Sequence, residues 1–341
     1  MTRRGWTYAR AGVDINRKSR AIDALVDQLR YRRKGRGKML DVIGQFTGMI
    51  DFGDLALTLC TDGVGTKLLV AEALDKWDTV GIDCIAMNVN DTICVGAEPI
   101  ALVDYIAMDQ PNDRIAEEIG IGLEKGARLS NIDIVGGEIA ILPEMVRGVD
   151  LSASCLGFVK KNGIVDGSGI EVGDAIIGLR SSGIHSNGLT LARKVLKDNE
   201  IENDDTLAGL RCTVGEELLT PTRIYVKKIL KVLDACTVGG MVNVTGGGLR
   251  NFVRLKKGVM FEIDGPFVPQ KIFKILSEIG NIQPKEMYQT FNMGMGFALV
   301  CPAEQTKDVL RVLGEGAKVV GEVRKGDGVG IPSLDLHYRS Y

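Results

Sequence analysis

The sequence predicts a mixed α/β (α+β) protein of two domains, residues 1–165 and 166–341, the first built on a β-sheet and the second of α/β type. Three observations predict it. The chain has 341 residues, and domains of about 150 residues bury enough surface to stand without disulfide or metal staples. Segments of strand period and of helix period alternate through both halves. Between them lies KNGIVDGSGIEVGD at 161–174, a run of glycine and turn residues near the middle of the chain.

The first forty residues are polar and end in a basic cluster, Arg30, Arg32, Arg33, Lys34, Arg36 and Lys38. Leu55–Cys60 alternates as a strand and runs into TDGVGTK at 61–67, from which a helix continues through Leu68–Leu74. Over 80–95, Ile82, Ile85, Ala86, Val89 and Ile93 form one apolar helix face. Asp83, Met87, Asn90 and Asp91 lie on a neighbouring stripe at the edge of the core. Pro99–Met108 reads as a strand, Asp113–Leu129 as a helix, Ile132–Val135 as a short buried strand and Leu151–Lys160 as another. In the second half, Ala175–Leu179 and Val242–Val244 are strands that run into glycine turns. Helices follow at 187–197, 222–235, 268–279 and 303–313, with strands at Val259–Ile263, Phe297–Val300 and 317–323.

Composition removes several classes of function. Forty-four acidic against forty-two basic residues leave −2, so whole-molecule charge predicts no nucleic-acid partner. No apolar run approaches the ~18–20 residues of a membrane helix. MTRRGWTYAR is followed by no apolar stretch, so a secretory signal is not expected and the chain reads as cytoplasmic. Seven scattered cysteines without a C-x-x-C read as reduced thiols. Only His185 and His337 are available for imidazole chemistry. Glycine is the outlier, at 43 residues with only 9 prolines, about one residue in eight against a usual ~7%.

No P-loop and no G-x-G-x-x-G is present. Instead, polar residues are embedded in glycine turns. In TDGVGTK, Gly63 and Gly65 expose bare amides that can cradle an anion, beside Asp62 as an oxygen ligand and Lys67 as a phosphate partner. A hairpin turn with a solvated lysine fits the same residues. Asp83 and Asp91 suit Mg²⁺, which takes one or two carboxylates plus phosphate oxygens, and their nearly uncharged flanks make a merely solvated helix face the weaker reading. Gly136-Gly137-Glu138 ends a strand with a carboxylate. SSGIHSNG at 181–188 gathers Ser182, His185, Ser186 and Asn187 before a helix, more than a cap needs. Thr245, Gly246 and Gly247 open a further turn with free amides, and Thr222 with Arg223 offers a fork-shaped phosphate contact. The residues by themselves describe a magnesium- and phosphate-binding enzyme.

The ordered set resembles the phosphoribosylformylglycinamidine cyclo-ligase (aminoimidazole ribonucleotide synthetase, AIR synthetase) family of purine biosynthesis. The matching pieces are YARAGVD at 8–14, TDGVGTK, GIDCIAMNVND at 81–91, GAEP at 96–99, Asp104-Tyr105, Gly136-Gly137-Glu138, SSGIHSNG, LLTPTRIYVK at 218–227, TGGG at 245–248 and EMYQTFNMGMG at 286–296. They span about residues 8 to 323. The resemblance implies a ligase in which ATP phosphorylates the formyl oxygen of formylglycinamidine ribonucleotide. Ring closure then gives 5-aminoimidazole ribonucleotide, ADP and phosphate. It implies Asp62, Asp91 and Glu138 on Mg²⁺, and Gly63, Gly65, Thr66, Lys67, Asp83, Asn90, Asp91, Gly136, Gly137 and Glu138 about ATP. It places Ser182, His185, Ser186, Asn187, Thr222, Arg223, Thr245, Gly246 and Gly247 about the substrate. Asp62, Lys67 and His185 would be catalytic, His185 as an acid/base near neutral pH. It implies a homodimer whose N-terminal sheets form a barrel at the interface, with room for a monovalent cation. Two departures stand out: Ile139–Pro143 replaces the usual residues after Gly-Gly-Glu, and Asn243 stands where the family carries a histidine. The competing readings are another ATP-dependent phosphotransferase of the same superfamily, or a nucleic-acid-binding protein using residues 30–38. A basic loop over ATP accounts for that cluster better.

Overall fold

Amphipathic and period-two segments of the first half build one helix-backed sheet. The computed structural model describes residues 5–40 and 46–341; Gly44 and Gln45 of the GQFTG segment lie outside them. The first half contains α1 (Ile15–Val26), β1 (Met39–Leu40), β2 (Gly48–Phe52), β3 (Leu55–Gly63), α2 (Leu68–Leu74), α3 (Val80–Ile93), β4 (Glu98–Met108), α4 (Asp113–Ser130), β5 (Asp133–Ile141) and β6 (Val149–Lys160). Its sheet has the order β1-β2-β3-β6-β4-β5, with β4 and β5 parallel and the other pairs antiparallel.

The second half contains β7 (Ala175–Arg180), α5 (Leu189–Asp198), α6 (Val214–Leu219), α7 (Val226–Ala235), β8 (Gly240–Asn243), β9 (Val259–Ile263), α8 (Lys271–Ile279), α9 (Pro284–Thr290), β10 (Met295–Cys301), α10 (Thr306–Leu313), β11 (Ala317–Lys325), β12 (Gly328–Ile331) and β13 (Leu336–Tyr338). Its sheet runs β13-β12-β9-β11-β7-β10-β8. Both halves are thus mixed α/β layers, as the sequence predicts.

α3 is the element shared by the two halves. The apolar periodicity assigned it one core face, but it is buried all round, with Asp83, Asn88, Asn90 and Thr92 fully enclosed among its apolar residues. It packs on the first sheet through β3 and β6, against α4, and against α7 of the second half. The approach of α4 depends on glycine: a Cβ on Gly81 would fall 2.3 Å from the Leu123 nitrogen and 2.5 Å from the Ile119 carbonyl oxygen. α4 itself starts where Asn112 accepts from the Ile115 amide (3.1 Å) and ends at Asn131 in the left-handed region.

The seam between the halves is polar and buried. Lys67 and Asp83 are both fully buried and pair at 2.9 Å. Lys67 Nζ also donates to the Thr220 carbonyl (2.7 Å). Asp83 Oδ1 accepts from the Thr222 amide (2.8 Å), the Thr222 hydroxyl (2.5 Å) and the Ser186 hydroxyl (3.1 Å). Asn90 donates to the Arg223 carbonyl (2.9 Å) and accepts from the Tyr225 amide (3.0 Å). Thr66 joins Thr190 of α5 hydroxyl to hydroxyl at 2.9 Å.

Several sequence expectations are corrected. β3 continues through Asp62 and Gly63 instead of turning at residue 61. The strand expected at Ile132–Val135 is β5, nine residues long and exposed along most of its length, because it is the edge of its sheet in a single chain. The helix expected over 222–235 begins at Val226, since the Thr222–Tyr225 backbone is hydrogen-bonded to Asp83 and Asn90 of α3, and α8 begins at Lys271. The turn expected at TGGG leads into a seven-residue 3₁₀ helix, Gly248–Arg254.

Two stability outcomes follow. Gly81→Ala drives a methyl into the α4 backbone and should lower unfolding free energy by roughly 1–3 kcal/mol, measured by chemical denaturation. Lys67→Met leaves Asp83 buried without its cation, and the same measurement should show a loss of about 3–5 kcal/mol.

Candidate active site

The alternation of a strand decides which acids can meet. Asp62 on β3 lies opposite Ala153 on β6, Ala153 opposite Asp104 on β4, and Asp104 opposite Gly137 on β5. One cross-strand row shares one face of a sheet, so Asp62 and Asp104 both face the α3 side. Gly137 is small because the Asp104 carboxylate lies over it: a Cβ there would come within 2.7 Å of Asp104 Cγ. Glu138 pairs with Tyr105 in the next row and therefore lies on the opposite face. The expected ligand set Asp62, Asp91 and Glu138 is thus not brought together within one chain. Among the described residues no three His, Cys, Asp or Glu side chains form a metal-sized group.

Asp62 and Asp91 do converge. They line a cavity of about 250 Å³ with Asn187, Thr245, Gly246 and Arg254, and α1 covers its mouth with Lys18 and Ile22. Asp62 is fixed by its neighbours. Its amide donates to Asn88 Oδ1 (3.0 Å), its carbonyl accepts from Asn88 Nδ2 (3.1 Å), and its Oδ1 accepts from the Gly63 amide (2.8 Å). Asp91 Oδ1 accepts from Asn243 Nδ2 at 2.8 Å, so the amide that replaces the family histidine holds this carboxylate in place.

Both acids are pushed up by burial. Asp91 rises to about 7: burial dominates, the Asn243 hydrogen bond opposes it, the nearby Asp62 adds to it and Arg254 pulls it down. Asp62 is raised in the same direction, again chiefly by burial. Two desolvated carboxylates on one cavity, each raised, form a site that a hard cation would neutralise.

Other expected site residues serve the seam. Lys67 is fully buried in its pair with Asp83, so its ammonium does not reach a phosphate; burial pushes its pKa down, against the pull of Asp83. Asp83, Asn90 and Thr66 are likewise occupied between the halves. Ser186 caps no helix: Gly188 is the N-cap residue of α5, and the Ser186 hydroxyl goes to Asp83 and Thr222. Ser182 donates its hydroxyl to the Pro221 carbonyl (2.6 Å). Arg223 donates to the Arg180 carbonyl (3.1 Å) and lines a separate cavity with Ser182 and Thr222. The expected substrate set is therefore split: Asn187, Thr245 and Gly246 face Asp62 and Asp91, while Ser182, Thr222 and Arg223 do not.

His185 lies behind Ser182 and Arg223 of the second cavity. It is buried, at φ 64°, and its Nε2 accepts from the Ser182 amide (3.2 Å) and the Arg223 amide (3.5 Å). Its pKa falls to about 3, by burial first and then by Lys67 and Arg223. An imidazole so placed is neutral at physiological pH, which corrects the expectation of an acid/base titrating near 7. Gly296 makes room for it, since a Cβ there would fall 2.5 Å from His185 Cε1.

Sequence reasoning missed Asn88, Lys18, Arg254 and Tyr341, and noted Asp104 only as part of a motif. Asn88 carries a signal, as an amide within the GIDCIAMNVND motif of α3. The others lie far apart in sequence from the carboxylates they approach.

Comparison with known proteins agrees over most of the chain. Residues 44–159 match the family AIR synthase related protein, N-terminal domain, and residues 171–332 match AIR synthase related protein, C-terminal domain. The chain is 46% identical over 324 residues to a phosphoribosylformylglycinamidine cyclo-ligase of Methanosarcina barkeri, covering 95% of this chain and 96% of the relative. It is 46% identical over 332 residues to that of Thermoplasma acidophilum, covering 96% and 97%. Among solved structures, AaThiL complexed with AMPPCP and TMP superposes with a TM-score of 0.66 at 20% identity, over 94% of each chain. The hydrogenase maturation protein HypE of E. coli superposes at 0.60 and 18%, over 84% of this chain and 85% of that one. At such identity these two structures support the fold alone. The chain belongs to the phosphoribosylformylglycinamidine cyclo-ligase family, within the AIR synthase related proteins.

Proposed function

We propose that the protein closes formylglycinamidine ribonucleotide to 5-aminoimidazole ribonucleotide, using ATP and releasing ADP and phosphate. The near-full-length identity to proteins of that name carries the reading, and the Asp62–Asp91 cavity supports it. The formyl oxygen is a poor leaving group. Transfer of the γ-phosphoryl group to it makes an imidate phosphate. The ribose-bearing amidine nitrogen attacks the formyl carbon, phosphate departs and the ring closes. Such chemistry asks mainly for positioning and charge neutralisation.

Asp62 and Asp91 fit Mg²⁺, which when bound would offset phosphate charge during transfer. Asn187 and the amides of the Thr245–Gly246 turn face the same cavity and orient the reactants. His185 contributes as a neutral acceptor that fixes the backbone at Ser182 and Arg223. The finer picture is a cytoplasmic homodimer. Its support is the sheet face opposite α3, where Leu59, Val103 and Tyr105 are all exposed. A second copy on that face would bury them together with the edge strand β5, and Glu138 would then lie at that interface.

The deciding assay incubates the protein with ATP, Mg²⁺ and formylglycinamidine ribonucleotide. Aminoimidazole ribonucleotide and ADP should form in equal amounts, and folded protein that makes neither product would sink the assignment.

His185 gives a separate test. Its folded pKa of about 3 lies below the unfolded value near 6.5. The unfolded chain therefore takes up a proton that the native protein refuses, and stability falls as pH drops from about 6.5 toward 3. His185→Gln keeps an acceptor and removes that proton uptake. Its denaturation midpoint should rise relative to the unmodified protein between pH 7.5 and 5, while turnover is better preserved than in His185→Ala. Parallel midpoints across that range would contradict the neutral-acceptor role.

A further inference from the structure

Much of LLTPTRIYVK lines a cavity of its own, apart from the carboxylates. That cavity measures about 560 Å³, against about 250 Å³ for the one holding Asp62 and Asp91. It lies where the two halves meet. The first half supplies Ile82 from α3 with Lys125 and Leu129 from α4. The second supplies Leu179 from β7, the segment around Arg223 and Ile224, and the start of α7. Its size falls within the ~300–1,000 Å³ of small-molecule sites, which favour such junctions.

The charge of the cavity is one-sided. Lys125, Arg223, Lys227 and Lys228 line it, against the single carboxylate of Glu315. Among the described residues none of these four cations is in an ion pair. Three are tethered to backbone carbonyls instead. Arg223 Nη1 donates to Arg180 (3.1 Å), Lys227 Nζ to Arg128 (2.7 Å), and Lys228 Nζ to Leu313 (2.8 Å) and Glu315 (3.2 Å). Lysines do bond the last carbonyls of helices for structural reasons, and the ends of α4 and α10 are so served here. Those bonds fix the side chains but bring no full negative charge. The charge of Arg223 is felt inside the protein, where it helps keep His185 neutral.

Beside the cations the wall is apolar. Ile82 and Leu179 are buried in it, Ile224 is half-buried, and Leu129 is left 47% exposed. Inorganic phosphate would fill a small part of this space and leave that wall in water. A phosphate monoester carries about −1.5 to −2 near neutral pH, a charge that the excess of cations can match, and a guanidinium fork takes phosphate oxygens in pairs. A flat, weakly polar ring joined to that phosphate would cover Leu129 and Ile224. The Asp62–Asp91 cavity differs in sign: its carboxylates oppose a phosphate until a cation lies between them.

We propose that this cavity is a second ligand site, which takes a nucleoside monophosphate without a metal ion. The phosphate is held by Arg223 and the surrounding ammonium groups, and the base lies on the Leu129–Ile224 wall. A ligand so placed ties α4 of the first half to the 221–228 segment of the second.

The test is calorimetric titration of the whole protein with AMP in EDTA, with inorganic phosphate and adenosine as partial ligands. AMP should bind one to one without metal, about tenfold or more tightly than either partial ligand. Arg223→Gln should weaken AMP about tenfold, the loss of a charge-assisted bidentate contact. Lys125→Glu, at an exposed position of α4, should weaken it several-fold with an unchanged thermal midpoint. Leu129→Ser should weaken AMP and leave phosphate binding as it was. Asn187→Ala, on the carboxylate cavity, should leave metal-free AMP binding unchanged. No saturable AMP binding in EDTA would overturn the proposal, as would unchanged affinity in either Lys125→Glu or Arg223→Gln. Equal affinities for AMP and phosphate would overturn it too, because the apolar wall would then take no part. Loss of AMP binding in Asn187→Ala would move the ligand to the other cavity. Lys125→Glu decides the matter if Arg223→Gln does not fold. The readout is binding, so absence of aminoimidazole ribonucleotide would remove the proposed reaction and leave this site standing.

Discussion

The fully enclosed Lys67–Asp83 pair is the interaction on which the arrangement of this protein depends. Two charges without water are tolerable only when each is matched and hydrogen-bonded. Here that requirement reaches across the molecule. Lys67 takes the Thr220 carbonyl, and Asp83 Oδ1 takes the amide and hydroxyl of Thr222 and the hydroxyl of Ser186. All these partners belong to the second half, whereas both charges belong to the first. The halves therefore cannot slide without exposing a buried ion. Asn90, about two turns further along α3, repeats the device on Arg223 and Tyr225. With the Thr222–Tyr225 segment pinned, its Arg223 amide is available to His185.

Sheet parity then sorts the acids. A strand can send Asp62 and its cross-strand neighbour Asp104 toward α3, but it must send the next row away. Glu138 falls in that next row. Its exposure is therefore not an accident of a loop; it follows from a register that also places Tyr105, Val103 and Leu59 on the outer face. Solvent is a poor neighbour for such a face and for an unpaired edge like β5. The same parity that removes Glu138 from the Asp62–Asp91 cavity gives it a place in any assembly built on the outer face.

Much of this was legible in the sequence, and the failures are physical. Strand and helix periods located most elements, because apolar side chains at fixed spacing must find a common core. α6 carried a readable start in Thr213 and Glu216, which form a reciprocal capping box. Periodicity erred on α3 because a helix at the junction of two layers is enclosed on every side, so its polar residues look like an edge while being core. It erred on β5 because an apolar run does not say whether its cover comes from the same chain. Among site residues, Asp62, Asn187, Thr245 and Gly246 were legible as polar groups set in glycine turns, and Asp91 as an acid on the stripe of a helix. Lys67, Asp83 and Thr222 were misplaced for one reason: a lysine beside glycines reads alike whether its partner is a phosphate or a buried aspartate 16 residues away. Lys18, Arg254 and Tyr341 could not be read at all, since only the folded chain brings residues 18, 254 and 341 together.

The division between seam and cavity also explains why neutrality of His185 is consistent with the proposed chemistry. Phosphorylation of the formyl oxygen replaces proton donation as the means of making a leaving group, since phosphate departs as a stable anion. A reaction so arranged needs no imidazolium at the breaking bond. It needs charged phosphates held still in a place from which water is largely excluded, where fixed dipoles and cations act more strongly than in solution. The same exclusion that drives His185 down raises Asp62 and Asp91, because burial disfavours whichever form is charged. For the histidine the neutral form is the useful one, as an acceptor for two backbone amides. For the paired aspartates the charged form is the useful one, and a cation with oxygen preference would favour it. One low-dielectric environment thus makes opposite demands on acid and base, and the chain answers both with Asp62 on β3, Asp91 on α3 and His185 in the 181–188 segment.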